Sequence, residues 1–308
     1  YFIVISGGEP FYWLPFLRIL KKHNDVFFMV YTNGTIIDEA LASKLSKLGN
    51  VIPAISVEGF EKETDSRRGK GTLKRVINAM NNLKKKGVIF GFSVTQTREN
   101  AKIVTSREFI DFYIMQGCRF GWYFQYVPIG KKPNIGLMPS PKQRNKAREF
   151  VWNIRNTKPI FVSDFWNDGP FVNGCIAGGK NEGYLHITST GDVEPCVFIH
   201  FAVDNIKNKS LKEVLNSSLF REIRKRQPYC ENLLTPCMLI DNPDVLREII
   251  KKSGAKPTHE GADNVIKDEA IKRHLDDYAK QMQELTIEEW KKVKRLYPHS
   301  FSWIKSRH

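Results

Sequence analysis

The order of hydrophobic segments constrains this chain most. In the first 130 residues, short runs of β-branched and aromatic residues alternate with longer amphipathic segments. We predict strands near 2–5, 26–31, 51–57, 89–96 and 120–127, and helices near 12–23, 38–47, 72–86 and 106–116. A strand, a helix and another strand in this order make a crossover that leaves the two strands parallel. The sequence therefore predicts an α/β fold with five strands of a parallel barrel.

The pattern changes after residue 130. A connector rich in proline, lysine and asparagine (131–141) precedes a helix near 142–156, and an alternating hairpin follows at 184–188 and 193–196. Two short helices are expected near 210–226, another near 243–252 and a long charged helix around 265–296. We predict three regions: a partial barrel at 1–140, a small α+β domain containing cysteines at 141–242, and a helical tail at 243–308.

The chain is strongly basic, with a formal net charge of +15 over 308 residues. Most of this charge is dispersed, and the Lys84–Lys86 run falls at a predicted helix end, where cations complement the helix dipole. The densest group of cations is Arg221, Arg224, Lys225 and Arg226. Because no RNA-binding signature accompanies it, we expect solvated helix faces and no nucleic-acid partner, with an RNA-modifying enzyme kept as an alternative. No apolar run has the length of a membrane span.

The cysteines are unevenly distributed. Four of the five, namely Cys175, Cys196, Cys230 and Cys237, lie in the C-terminal half. An odd count argues against a secreted disulfide framework, so we predict a cytoplasmic protein in which clustered cysteines bind metal. Cys118 stands alone at a helix-to-strand junction and is predicted to be a core residue.

A short motif follows the first predicted strand. Gly7-Gly8-Glu9-Pro10 combines two glycines, which let backbone approach a ligand, with a carboxylate that accepts hydrogen bonds from an ammonium group. This motif resembles the GGEP motif of the radical S-adenosylmethionine (radical SAM) family, whose loop holds the amino group of the cofactor's methionine. The resemblance makes Gly7, Gly8, Glu9 and Pro10 cofactor-binding residues.

Other strand ends carry further resemblance. Tyr31-Thr32-Asn33-Gly34 is similar to the family's next strand end, which adds Asn33 to the predicted cofactor site. The segment from Ser56 to Leu73 resembles the S-x-D-G and D-x-x-R-G-x-G-x-F patterns of peptide-modifying members, with Glu58 in place of Asp and Leu73 in place of Phe. By resemblance, Ser56 and Arg68 bind the carboxylate and ribose end of the cofactor.

The last barrel strand resembles the family's sixth. The resemblance places the backbone near Val127 against the adenine of the cofactor. Gln125 is polar in an otherwise apolar strand and should need a partner, either cofactor or substrate. The aromatic residues of this strand are expected to pack inward.

The resemblance implies an activity. Family members pass an electron from a 4Fe-4S cluster into S-adenosylmethionine and release a 5′-deoxyadenosyl radical, which removes hydrogen from a substrate. The three cluster thiolates come from a C-x-x-x-C-x-x-C loop, and no such triplet occurs in this sequence. We therefore expect an N-terminally truncated chain that lacks the first barrel unit and is inactive alone. The complete enzyme would use flavodoxin or ferredoxin as reductant, with a peptide favoured as substrate; a non-catalytic scaffold is the other alternative.

The C-terminal cysteines resemble a reduced SPASM or twitch extension, which binds auxiliary iron-sulfur clusters. Cys175, Cys196 and Cys237 are the better ligands, with Cys230 or a non-cysteine group as the fourth. By ligand count, zinc fits equally well. His186 and His200 flank Cys196 and are expected to be structural. Asp164, Asp168 and Asp241 are candidate proton acceptors that the sequence does not distinguish from loop caps.

Overall fold

The computed structural model describes residues 2–180 and 183–296. The chain forms two compact units, one made of residues 1–126 and 146–165 and the other of residues 127–145 and 166–308. Within the described residues, no helix combines the length and the apolar character needed to cross a bilayer.

The first unit contains a six-stranded parallel sheet in which the strands lie in chain order. Its strands are β1 (Phe2–Ile5), β2 (Phe27–Thr32), β3 (Val51–Val57), β4 (Gly91–Gln96), β5 (Phe120–Gln125) and β6 (Phe161–Asp164). Because every neighbouring pair is parallel, all six carboxyl ends lie at one edge of the sheet, which we call the carboxyl edge. This half-barrel confirms the predicted α/β fold class.

The connections between these strands are helical. The helices are α1 (Pro15–Lys22), α2 (Glu39–Leu48), α3 (Glu61–Arg68), α4 (Thr72–Lys85), α5 (Ala101–Val104), α6 (Arg107–Gln116) and α7 (Pro141–Thr157). Local sequence explains where several of them begin. Asp38 and Ser106 each accept a hydrogen bond from a backbone N–H three residues later, which caps α2 and α6.

The two faces of the sheet differ. On one face, alternate strand residues pack against the helices in the main core, with Phe92 at the centre of an aromatic group that includes Phe109, Tyr113 and Tyr123. The opposite face, which we call the inner face, has a smaller cluster of Met29, Ala54 and Phe120. Towards the carboxyl edge the inner face becomes more aromatic and more polar.

The sixth strand corrects the prediction of five. β6 follows α7 and pairs in parallel with β5, so α7 connects two strands of the first unit instead of opening the second domain. The segment Phe161-Val162-Ser163-Asp164 is only four residues long, and so short an alternation is a weak strand signal. The compact units therefore depart from the predicted boundary at residues 140 and 141.

Most elements of the second unit are short, and its last helix, of 28 residues, is the exception. They are β7 (His186–Ile187), β8 (Val193–Glu194), β9 (Phe201–Ala202), α8 (Leu211–Leu215), α9 (Ser218–Arg226), α10 (Pro243–Ser253), β10 (Lys256–Pro257), α11 (Asn264–Lys267) and α12 (Glu269–Leu296). The predicted hairpin is the antiparallel pair β7–β8. The predicted long helix is interrupted at Asp268, whose side chain accepts hydrogen bonds from the backbone of Ala270 and Ile271 and so starts α12.

Phe92 gives a direct test of the core. Replacing Phe92 by Ala removes a fully buried ring from the aromatic group and should destabilise the protein by about 3–5 kcal/mol. The exposed Ile89 is the matched control, and Ile89→Ala should change stability by less than about 0.5 kcal/mol. Urea unfolding monitored by circular dichroism measures both. Equal midpoints for the two variants would contradict this assignment of the core.

Candidate functional site

The Gly7-Gly8 turn leaves β1 at the carboxyl edge. Both glycines have positive φ, +93° for Gly7 and +58° for Gly8. A Cβ built on either would meet no heavy atom within 4 Å, so the left-handed backbone, and not crowding, calls for glycine here. The turn thus exposes backbone polar groups to the space beside it.

Glu9 joins the ends of β1 and β2. Its carboxylate accepts hydrogen bonds from the Thr32 hydroxyl (2.7 Å), the Asn33 backbone N–H (2.7 Å) and the Phe11 backbone N–H (3.3 Å). A carboxylate has about four acceptor positions, so capacity for another donor remains. Pro10 starts the 3₁₀ turn that follows.

Asn33 acts locally. Its side-chain oxygen accepts hydrogen bonds from the backbone N–H and the hydroxyl of Thr35, at 2.8 and 2.7 Å. These bonds hold the turn after β2 in shape. Asn33 therefore contributes a backbone N–H to the Glu9 carboxylate and a side chain to its own loop.

Ser56 lies on the inner face near the carboxyl edge. Alternation along β3 puts its neighbours Ile55 and Val57 in the core on the helical side, so Ser56 is on the other side. In register with Ser56 are Ser93 on β4 and then Trp122 on β5. Trp122 stacks on Phe124, with ring centroids 6.1 Å apart. The inner face at this level therefore combines hydroxyls with aromatic rings.

Arg68 has a partner within the chain. Its Nε lies 2.8 Å and its Nη2 2.6 Å from Oε1 of Glu58, whose other carboxylate oxygen lies 2.6 Å from Arg67 Nη1. The Glu58 side chain is only 3% exposed, so it needs this compensation for its charge. The glutamate that stands where the family pattern has Asp thus holds both arginines at the end of α3.

Gln125 and Val127 occupy different settings. Gln125 is 4% exposed and falls on the helical side of β5, on the same face as Tyr123. Its Nε2 has no hydrogen-bond partner among the described residues. Val127 belongs to the second unit, and its carbonyl accepts a hydrogen bond from Ile129 at 2.9 Å. Cofactor binding by either residue stays a prediction.

The residues at the carboxyl edge of the first unit fit S-adenosylmethionine. The Gly7-Gly8 turn is open to a ligand, Glu9 is an anion with acceptor capacity left, and Ser56 presents a hydroxyl on the inner face. These groups match an ammonium and a carboxylate on one ligand. The chemistry of the donor set therefore agrees with the resemblance of the motif.

Three cysteines of the second unit share their surroundings. Burial, and then the nearby Asp241, Cys175 and Cys196, raise the pKa of the Cys237 thiol well above its ordinary value. Burial is also the main cause that raises the pKa of Cys196 to about 12, and Cys175 adds to it. Each of the three thiols is therefore within electrostatic reach of the others.

The same thiols receive hydrogen bonds. The Tyr184 hydroxyl lies 2.8 Å from the Cys196 sulfur, and the Phe198 backbone N–H donates to that sulfur at 3.5 Å. The Leu239 N–H donates to the Cys237 sulfur at 3.4 Å. Donors aimed at sulfur stabilise thiolate and tune the potential of a bound iron-sulfur cluster. These surroundings fit such a cluster, although no three His, Cys, Asp or Glu side chains in the described ranges meet around a single-ion position.

Cys230 and Cys118 have other contacts. The Cys230 thiol lies 3.3 Å from the Asn232 carbonyl oxygen and 3.2 Å from that of Thr235, and burial is the main cause that raises its pKa. Cys118 is buried in the core of the first unit, as expected. Cys230 stays a predicted ligand for the fourth position.

Sequence alone did not identify Glu194 as the residue that joins two histidines. Glu194 is buried and contacts His186 Nδ1 at 2.6 Å and His200 Nδ1 at 3.4 Å. Burial alone would raise the pKa of this carboxyl, but hydrogen bonds from His186, His200 and Thr258 outweigh it and lower the pKa to about 2. The two histidines flanking Cys196 are therefore partners of a buried carboxylate, which agrees with a structural role.

The basic stretch of α9 is partly used inside the fold. Arg224 donates to the carbonyls of Gly178 and Leu215, and Arg226 pairs with Glu222. Arg221 and Lys225 are exposed. Two of the four cations thus have structural partners, which reduces the case for a polyanion surface.

A second missed feature is a buried ion pair between Arg144 and Asp241. From sequence alone, Asp241 is only a candidate proton acceptor. A signal was present, because Arg144 precedes the buried Ala147 and Val151 by three and seven residues and so shares their helical face. Charged residues are rarely fully buried, which is why the pattern was not interpreted in this way.

Comparison with known proteins agrees with this geometry. Residues 1–110 match the radical SAM superfamily, and residues 175–238 match SPASM, an iron-sulfur cluster-binding domain. Mycofactocin maturase MftC of Mycolicibacterium smegmatis is 28% identical over 74% of this chain and 61% of its own length. An AdoMet-dependent heme synthase of Oleidesulfovibrio alaskensis is 21% identical over 74% of this chain and 65% of its own.

A solved structure shows the same fold. Native anSMEcpe with bound AdoMet and Cp18Cys peptide superposes with a TM-score of 0.60 at 18% identity, over 96% of this chain and 85% of that chain. The chain spans 61% of the length of MftC. The SPASM match favours iron and sulfide over zinc at the C-terminal cysteines. The chain therefore contains a radical SAM domain at residues 1–110 and a SPASM domain at residues 175–238.

Proposed function

We propose that the complete protein is a radical SAM enzyme that abstracts a hydrogen atom from its substrate. The carboxyl edge of the sheet, where Gly7, Gly8, Glu9 and Ser56 lie, is the observation that carries this proposal. Bound S-adenosylmethionine, reduced by a 4Fe-4S cluster, supplies the 5′-deoxyadenosyl radical for this chemistry. The protein contributes binding, orientation and the exclusion of water.

Glu9 and the two glycines bind the amino end of the cofactor in this proposal. The carboxylate of Glu9 is already oriented by Thr32 and Asn33, so it can accept from an ammonium group without reorganising. A preorganised group loses less entropy on binding than a mobile one. Pro10 restricts the backbone conformations that the turn can adopt.

Ser56 and Arg68 bind the carboxylate and ribose end. Guanidinium has five N–H donors, so the ion pair with Glu58 leaves donors for a second acceptor. Glu58 then fixes the direction in which Arg68 points. Asn33, Gln125 and Val127 complete the proposed set, Gln125 because its buried amide nitrogen lacks a partner in the described residues.

Cys175, Cys196 and Cys237 are the proposed ligands of an auxiliary cluster in the SPASM domain. Their shared electrostatic surroundings support this set, and Cys230 or a non-cysteine group supplies the fourth position. Iron binding requires thiolates, and the raised pKa values mean that metal must displace protons on binding.

A peptide is the favoured substrate. The structural neighbour anSMEcpe has a peptide bound, and a half-barrel of the same fold here presents Trp122 and Phe124 on its inner face. Aromatic surfaces of this kind bind apolar side chains. Flavodoxin or ferredoxin is the proposed reductant.

Reductive cleavage of the cofactor tests the proposed activity. The complete gene product, reconstituted anaerobically with iron and sulfide and supplied with dithionite, should release 5′-deoxyadenosine from S-adenosylmethionine, as measured by mass spectrometry. Absence of this product from protein with a filled catalytic cluster would contradict the enzymatic proposal and leave a binding or scaffold role.

Cofactor binding tests the carboxyl edge separately. Glu9→Gln keeps one oxygen acceptor, which can serve Asn33, but it replaces the other oxygen by an amide nitrogen and removes the charge that faces the ammonium group, so S-adenosylmethionine should bind roughly tenfold or more weakly. The exposed Ser46 offers the control Ser46→Ala, which should leave affinity unchanged. Equilibrium dialysis of the complete gene product with labelled S-adenosylmethionine measures both, and equal affinities would remove Glu9 from the site.

Iron content tests the cysteine ligands. In the 308-residue chain reconstituted with iron and sulfide, replacing Cys175, Cys196 or Cys237 by Ala should lower bound iron to near background, because each change removes one cluster ligand. Cys118→Ala is the matched control in the core of the other unit and should keep its iron. Iron analysis and the sulfide-to-iron absorption report the result. Full iron in the Cys237→Ala variant would contradict the proposed set.

A further inference from the structure

The buried ion pair between Arg144 and Asp241 has no role in the function described so far. Both side chains are completely buried. The guanidinium makes a two-pronged contact with the carboxylate, Nη1 at 2.5 Å from Oδ1 and Nη2 at 3.1 Å from Oδ2. Taking two charges out of water is costly, and the contact compensates only when the remaining donors and acceptors are also satisfied.

Two further contacts bring the hydrogen bonds of Arg144 to four. Its Nε donates to the side-chain oxygen of Asn167 at 2.9 Å, and Nη2 also donates to the Trp166 carbonyl at 3.3 Å. The cation is therefore held in one orientation by three neighbours. Burial alone would lower the pKa of Arg144, but the charge of Asp241 outweighs this and raises it, so the guanidinium stays charged.

Asp241 connects the oriented guanidinium to Cys237. Its Oδ2 accepts a hydrogen bond from the Cys237 backbone N–H at 3.0 Å. The Cys237 carbonyl in turn accepts from the backbone N–H groups of Asp241 and Asn242, both at 3.0 Å. Both backbone polar groups of this cysteine are thus held by the turn at 237–242, which sets the position of its sulfur.

Arg144 also reaches the surroundings of Cys196. The Trp166 residue that accepts its hydrogen bond packs its ring on Phe198, with centroids 4.6 Å apart. The Phe198 N–H donates to the Cys196 sulfur. Arg144 is therefore linked to the loops that carry two of the three proposed ligands. Asp241 is the link to Cys237, and Trp166 with Phe198 is the link to Cys196.

The charges matter as well as the geometry. Asp241 is a negative charge whose carboxylate accepts the backbone N–H of Cys237. Arg144 is paired with that carboxylate, so the pair adds no net charge beside Cys237, and removing either partner alone leaves one charge unbalanced. Outer groups that orient ligands and balance charge govern the affinity and potential of a metal site.

We propose that Arg144 is a positioning residue for the auxiliary iron-sulfur cluster, acting through Asp241 on Cys237 and through Trp166 beside Cys196. Its cation also sets the reduction potential of that cluster. This inference rests on the ligand set of the proposed function.

The experiment compares charge variants of the pair in the 308-residue chain, reconstituted anaerobically with iron and sulfide. No C-x-x-x-C-x-x-C triplet is present in this chain, so the signal comes from the SPASM cluster. Arg144→Met removes a cation and should shift the reduction potential to more negative values, whereas Asp241→Asn removes an anion and should shift it to more positive values. Arg144→Lys keeps the charge and should restore the potential towards that of the unaltered chain. Redox titration followed by electron paramagnetic resonance measures all three.

A control separates these effects from loss of stability. Leu246→Ala creates a cavity in α10 of the same unit without altering charge, and it should lower the melting temperature while leaving the potential unchanged. If Arg144→Met fails to fold, the positive shift expected for Asp241→Asn, set against the nearly unchanged potential expected for Arg144→Lys, still tests the idea. Equal potentials in all charge variants, with normal iron content, would overturn the role of Arg144. Full iron in Cys237→Ala would instead refute the ligand set, so the two failures are distinguishable.

Discussion

Parallel pairing of the strands is the constraint on which the rest of the first unit depends. Six strands that run in the same direction bring six loop starts to one edge of the sheet, and each crossover adds a helix to the same face. In the described residues, the cluster on the inner face consists of strand residues. A site built from Gly7 on one strand end and Ser56 on another is possible only because both ends meet at this edge.

Buried and partly buried carboxylates connect the loops around the two candidate sites. Glu9 joins the ends of β1 and β2, Glu58 holds two arginines at the end of α3, and Glu194 gathers two histidines. Asp241 does the same for Arg144 and Cys237. A buried carboxylate requires several donors, so each of these residues fixes segments that are distant in sequence. The resulting rigidity suits sites that must hold ligands in one geometry.

Much of the fold followed from local patterns. The five predicted strands and their helices appear within a few residues of the expected positions, because each element carries its own hydrophobic period. β6 was missed because four residues are too few for a period to show. The prediction that Arg68 binds the cofactor did not include its ion pair with Glu58, since nothing in the local sequence shows that Glu58 turns back to meet it.

The sequence by itself determined the α/β class, the glycine-glutamate turn and the concentration of cysteines near the C-terminal half. Each of these features is set by residues that are close together in the sequence, so the spacing of those residues is enough to predict it. Tertiary structure alone decided that Cys175, Cys196 and Cys237 share their electrostatic surroundings, that Gln125 is on the helical side of its strand, and that Arg144 meets Asp241. Those outcomes depend on contacts between segments up to 97 residues apart, and such contacts are chosen by the packing of the whole unit.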